Sequence, residues 1–177
     1  EDPKGAARYL SVARAMAAVE RLDWAEDTYQ KLIEIAADVL AYKIELAALQ
    51  LRRADEVLPD GTPAEEWLAR SQAYIKKAED LLLAVSGNDR LTLAEAQLTG
   101  RLLLEHRRLE TARKVLALGK DRFPQDMGLV KMYGNSCLLL GAAKPSGSKQ
   151  QRDLFTEAIN SNLKAFDLAP HPAIQRE

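Results

Sequence analysis

The sequence predicts an all-α fold of about four helical hairpins, or about eight helices, stacked side by side. Three observations lead there. Ala, Leu, Glu, Lys, Arg and Gln dominate, all strong helix formers, and no stretch alternates apolar and polar residues as a strand does. Residues 93–126 contain two apolar faces at helical spacing, Leu98, Leu102 and Leu103, then Leu109, Ala112, Val115, Leu116 and Gly119. The pattern also recurs. One period of ~34 residues carries Gly100 in AQLTGRLLL onto Gly134 in VKMYGNSCLLL, and a longer step carries Ala112 and Pro124 onto Ala158 and Pro170. The extra residues are Gly141 to Arg152, GAAKPSGSKQQR, a stretch of loop composition. Two amphipathic helices cannot bury their apolar faces alone, so hairpins of the same kind should stack on one another.

Residues 5–20, GAARYLSVARAMAAVE, form the first amphipathic helix, and Asp23 is the expected N-cap of the second, WAEDTYQKLIEIA. No Gly or Pro separates the second helix from the third in ADVLAYKIELAALQLRRADEVL. A continuous helix over 24–57 would far exceed the usual length in a globular domain, so a tight turn is expected near Ala37-Asp38. LPDGTP, residues 58–63, is a loop, and Pro63 opens the fourth helix in its first turn, where a missing N–H is tolerated. That helix carries Trp67, Leu68, Ala78, Leu82 and Val85 and stops at Ser86-Gly87-Asn88. The fifth and sixth helices form the best bounded hairpin, closed by Arg122-Phe123-Pro124 because proline cannot continue a helix. The seventh spans about 126–140, and the eighth includes EAINSNLKAFDLAP. The whole reads as one domain, 1–177, with repeats at about 5–37, 38–88, 93–126 and 127–172 and inserted loops at 56–63 and 141–152.

In this register the chain resembles the tetratricopeptide (TPR) family, whose pattern places Trp, Leu-Gly and Tyr on a first helix and Ala, Phe and a closing Pro around a second. Ala96, Gly100, Leu103, Ala112, Leu116 and Pro124 fill these slots in one repeat; Val130, Gly134, Cys137, Ala158, Asn162 and Pro170 fill them in the next. Ala13, Ala25, Tyr29 and Leu32 give a degenerate first copy. The resemblance implies a right-handed α-solenoid whose first helices line a concave groove. It places Gln97, Arg101 and Leu104, then Lys131, Asn135 and Leu138, and in the first repeat Leu10 and Arg14, on that groove. Lys131 and Asn135 also resemble the first-helix Lys and Asn that clamp a C-terminal carboxylate in chaperone-binding TPR proteins.

A formal net charge of −1 supplies no electrostatic reason to bind nucleic acid or a membrane surface. No apolar run approaches the ~18 residues of a membrane helix, and no signal peptide is visible. The chain opens Glu1-Asp2-Pro3 without methionine, so it is expected to be a processed product or an excised piece. A soluble, cytoplasmic placement is favoured over an exported one. A single cysteine excludes an internal disulfide, and Cys137, on an apolar helix face, is expected to be a small buried hydrophobe. His106 and His171 join no cluster of metal ligands, and no HExxH, CxxC or phosphate-cradling loop exists. No metal, cofactor or catalytic residue is therefore expected. The basic set Arg107, Arg108, Arg113, Lys114, Lys120 and Arg122, offset by Glu105, Glu110 and Asp121, is expected on a solvated convex face.

What remains is a non-enzymatic protein-interaction module or scaffold. Its groove residues would be Arg14, Gln97, Arg101, Lys131 and Asn135, and its partner a protein or peptide bearing an acidic segment or C-terminal carboxylate. A lysine with an amide one helical turn on binds a carboxylate by charge and hydrogen bond. Two other roles fit the same pattern: a self-assembling subunit, homo-oligomeric or within a larger complex, and the TPR portion of a larger enzyme or secretion machine.

Overall fold

The computed structural model describes residues 3–56 and 62–169. Among them are eight helices and no strands, so the fold is all-α. The helices are α1 (Pro3–Ala18), α2 (Leu22–Ile35), α3 (Leu40–Ala54), α4 (Ala64–Ser86), α5 (Leu93–Glu105), α6 (Leu109–Arg122), α7 (Met127–Ala142) and α8 (Lys149–Leu168). No helix among the described residues is long and apolar enough to cross a membrane. Most of the loop at 56–63, together with Pro170 and His171, lies outside the described residues.

The chain divides into two compact units, one ending at Leu91 and one beginning at Thr92. In the first unit each helix packs on the next, α1 on α2, α2 on α3 and α3 on α4. Ala13, Ala25 and Leu32 are fully buried beside Tyr29, Leu46 and Leu49. The turn expected between α2 and α3 is present. The Ala36 N–H bonds the Leu32 carbonyl, and α3 starts at Leu40. Three details differ from the sequence reading. Asp23 is not the N-cap of α2, because the helix begins at Leu22 behind Arg21; Asp23 sits within the first turn and ion-pairs with Arg53 of α3. Pro63 occupies the N-cap position of α4, its carbonyl accepting from the N–H groups of Glu66 and Trp67. Trp67 and Leu68 are exposed, and only the later turns of α4, through Ala78, Leu82 and Val85, reach the core.

A charged cluster crosses this unit. The Arg53 guanidinium, 8% exposed, bonds Glu26 of α2, itself 7% exposed, and stacks 4.5 Å from the Tyr74 ring of α4. Gln50 Nε2 lies 3.4 Å from Glu26 Oε1, and Lys77 Nζ 3.8 Å from the same oxygen. Buried charges need such partners, since desolvating an unpaired ion costs several kcal/mol.

In the second unit α6 packs on α5 and α7, α7 on α8, and α5 touches α7. α5 opens with a reciprocal cap: Thr92 Oγ1 accepts from Glu95 N–H, and the Glu95 carboxylate accepts from Thr92 N–H at 2.9 Å. Asp126 and Ser148 cap α7 and α8, accepting from the Leu129 and Gln151 N–H groups. Half of the segment read as an inserted loop at 141–152 is helix. Gly141 and Ala142 finish α7 and Lys149 opens α8, leaving 143–148 as the connector. Gly141 is a packing residue, because a Cβ there would stand 2.8 Å from Phe155 Cε1.

One turn occurs in both units. Glu20 and Arg107 adopt positive φ, 59° and 55°, between α1 and α2 and between α5 and α6. The following N–H, of Arg21 or Arg108, bonds back to Met16 or Leu103 at 2.9 and 2.8 Å. This is the left-handed helix stop usually given to glycine.

Candidate interaction surface

The second unit is organised by two glycines. A Cβ on Gly100 of α5 would run into Leu116 of α6, and one on Gly134 of α7 would stand 2.9 Å from Asn162 Oδ1 of α8. Each glycine therefore marks where a first helix meets its second. Asn162, in a slot the sequence pattern fills with a larger apolar residue, lies against Gly134 as Leu116 does against Gly100. Because Gly100 and Gly134 face inward in the same way, Arg101 and Asn135, one residue on, leave α5 and α7 at the same helical phase, and both are exposed. Leu138, one turn beyond Asn135, is 48% exposed.

The sequence-predicted residues fare differently. Gln97, Arg101, Lys131 and Asn135 lie on α5 and α7 of one unit, whereas Arg14 belongs to the other. Arg14 is held by its own unit: its Nε donates to Glu45 Oε2 at 3.0 Å, and Glu45 also accepts from the Tyr29 hydroxyl at 2.7 Å. Gln97 Nε2 donates to Asp126 Oδ1 at 3.0 Å, so its amide serves the N-terminus of α7. Arg101 lies 3.9 Å from Glu105 one turn away, an exposed pair of the kind that contributes little. Lys131 and Asn135 are exposed, Lys131 beside Met127, Asn162 and Phe166.

A second polar network joins α6, α7 and α8. Glu157 accepts from Arg113 Nε at 3.1 Å, from the Tyr133 hydroxyl at 2.8 Å and from Cys137 Sγ at 3.4 Å. Burial raises the Glu157 pKa, but the hydrogen bonds from Arg113, Tyr133 and Cys137 and the Arg113 charge outweigh it, leaving the carboxyl below its ordinary value. Burial, then the bond to Glu157, pushes the Tyr133 hydroxyl up, and burial raises the Cys137 thiol. Cys137 is buried, and its raised pKa keeps it protonated and unreactive. Arg113 and Lys120 are accordingly not on a solvated face. Arg113 pairs with Glu157, and Lys120 lies 4.8 Å over the Tyr133 ring. Sequence reasoning missed both carboxylate networks, since Glu45 and Glu157 are each remote in sequence from the arginine and tyrosine they join. It also passed over the Thr92–Glu95 cap, whose local signal is Thr-x-x-Glu.

No protein-family model matches the chain, and no curated protein matches it.

Proposed function

We propose that the chain is a non-enzymatic interaction module of TPR-like helical hairpins, binding a segment of a partner protein on the face made by α5 and α7. The observation that carries this reading is Leu138, 48% exposed on α7 one turn after the exposed Asn135. An exposed leucine beside an amide, with the Arg101 guanidinium at the matching phase of α5, suits a peptide that offers an apolar side chain and a carboxylate. Arg14 and Gln97 drop out of the binding set, because Glu45 and Asp126 take up their polar ends.

The test is affinity capture with the intact chain and with Arg101→Glu/Asn135→Ala/Leu138→Glu. All three side chains are exposed, so circular dichroism and melting should match the wild type. Proteins retained by the wild type should be lost from the variant. An identical set retained by both would refute the assignment of this face.

A further inference from the structure

We propose that the α7–α8 hairpin carries a separate docking site, for one amphipathic helix of a partner protein that enters with an acidic N-cap and a leucine three residues later. The template is internal. Gly100 meets Leu116 and Gly134 meets Asn162, so the two hairpins of this unit correspond position by position. Gln97 then corresponds to Lys131, Arg113 to Ile159, Ala117 to Leu163 and Gly119 to Ala165.

On the α5–α6 hairpin Gln97, Arg113 and Gly119 each meet a neighbour from α7, its cap or α8. Leu129 of α7 stands 3.4 Å from where a Cβ on Gly119 would be, Arg113 is paired with Glu157 of α8, and Gln97 donates to Asp126 at 3.0 Å. Asp126 in turn caps α7 by accepting from the Leu129 N–H at 2.7 Å. One Asp-x-x-Leu sequence thus supplies both the cap and the side chain seated on the hairpin. On the α7–α8 hairpin the corresponding place is a groove of about 330 Å³ lined by Met127, Lys131, Asn162, Ala165, Phe166 and Ala169. Beside it Ile159 and Leu163, one turn apart on α8, are 60% and 59% exposed. Where the α5–α6 hairpin uses Arg113 and Ala117, this one offers two large apolar side chains, and Lys131 replaces Gln97.

Charge decides the occupant. A helix N-terminus carries a partial positive charge, so an ammonium at that point is unfavourable unless the helix begins with a carboxylate. Lys131 in the Gln97 slot therefore selects Asp or Glu at the cap of the incoming helix, while Ile159 and Leu163 select its apolar face. The side chains flanking Leu163 and Phe166, Lys164 and Asp167, are opposite in charge and leave Lys131 as the determining one.

A labelled peptide with the sequence of residues 125–142 of this chain, carrying Cys137→Ser, is the probe, titrated against the 177-residue protein by fluorescence anisotropy. Saturable one-to-one binding is expected, at least ten-fold weaker for Leu163→Glu. An Asp126→Lys peptide should bind the wild type at least ten-fold more weakly, and Lys131→Glu protein should reverse that preference. Both protein substitutions are at exposed positions, and unchanged melting would show that they fold. Absence of peptide binding, equal binding by Leu163→Glu, or no reversal with Lys131→Glu would overturn the proposal. So would a concentration-dependent mass that Leu163→Glu abolishes, which would make the occupant a second copy, or binding seen only after removal of residues 170–177.

Discussion

Gly100 and Gly134 hold matching positions, but their neighbours differ in what they can give. A Cβ on Gly100 collides with Leu116, which is fully buried and so has no open space to move into. Alanine at a helix interior gains about 1 kcal/mol over glycine, whereas forcing a methyl into a packed core costs ~1–3 kcal/mol. Overpacking should win at Gly100, and Gly100→Ala should lose about 1–2 kcal/mol in urea unfolding. Leu116→Ala in the same chain should remove that penalty, giving a favourable coupling in a double-mutant cycle. At Gly134 a Cβ would meet the half-buried Asn162 side chain, Oδ1 at 2.9 Å and Cγ at 3.1 Å, which can rotate, and the Ser161 Cβ at 3.2 Å, which is fixed to the α8 backbone and must give by a few tenths of an ångström. The helix-propensity gain and this milder crowding oppose each other, so Gly134→Ala should stay within about 1 kcal/mol of the wild type and cost less than Gly100→Ala. Equal losses at the two sites would show that backbone crowding, and not the facing side chain, sets the constraint.

Between elements, a buried ion pair joins Arg53 to Glu26, linking α3 to α2 and, through Tyr74, to α4. Arg53 Nε and Gln50 Oε1 have no hydrogen-bond partner, so the cluster is already incompletely satisfied. Removing Glu26 would leave Arg53 with the exposed Asp23 carboxylate, and Glu26→Ala should cost about 3 kcal/mol of unfolding free energy. Glu26→Leu with Arg53→Met should recover most of it. A loss under about 1 kcal/mol for the single variant would mean that water reaches the pair and screens it. Most element boundaries were legible in the sequence because local chemistry sets them: Gly87, Phe123-Pro124 and the length limit that forces a turn at Ala37-Asp38. The segment at 141–152 was not. Gly141 reads locally as a breaker, but its missing Cβ lets α7 approach Phe155, while Ser148 caps Lys149 to Arg152 into α8. Ionic ties such as Arg53–Glu26 were illegible for another reason: each joins residues on different helices, and no local pattern records which charge will face which.

The two units share one device, a carboxylate that gathers an arginine and a tyrosine from neighbouring helices: Glu45 with Arg14 and Tyr29 in one, Glu157 with Arg113 and Tyr133 in the other. Burial raises the Glu45 pKa, but the hydrogen bonds from Arg14 and Tyr29 and the Arg14 charge more than offset it. Both carboxyls thus sit below their ordinary value of 4.5 in the folded chain. As pH falls through that value the unfolded chain takes up protons first, so the stability each carboxylate contributes, complete above it, is lost progressively below it. The tyrosines act at the opposite limit. Burial, followed by the bond to the carboxylate, lifts both hydroxyls above their ordinary value of 10.0, so the unfolded chain releases protons first as pH rises past it and stability falls again. At neutral pH, with 25 Lys and Arg against 26 Asp and Glu, self-repulsion adds little; in acid the uncompensated cations steepen the loss. The urea midpoint should therefore be nearly flat from about pH 5 to pH 9 and fall on both sides. Glu45→Gln with Glu157→Gln should lower the plateau and flatten the acid limb, because the groups that titrate there are gone. If the double variant kept an acid limb as steep as the wild type, the pH sensitivity would belong to the remaining carboxylates and not to these two anchors.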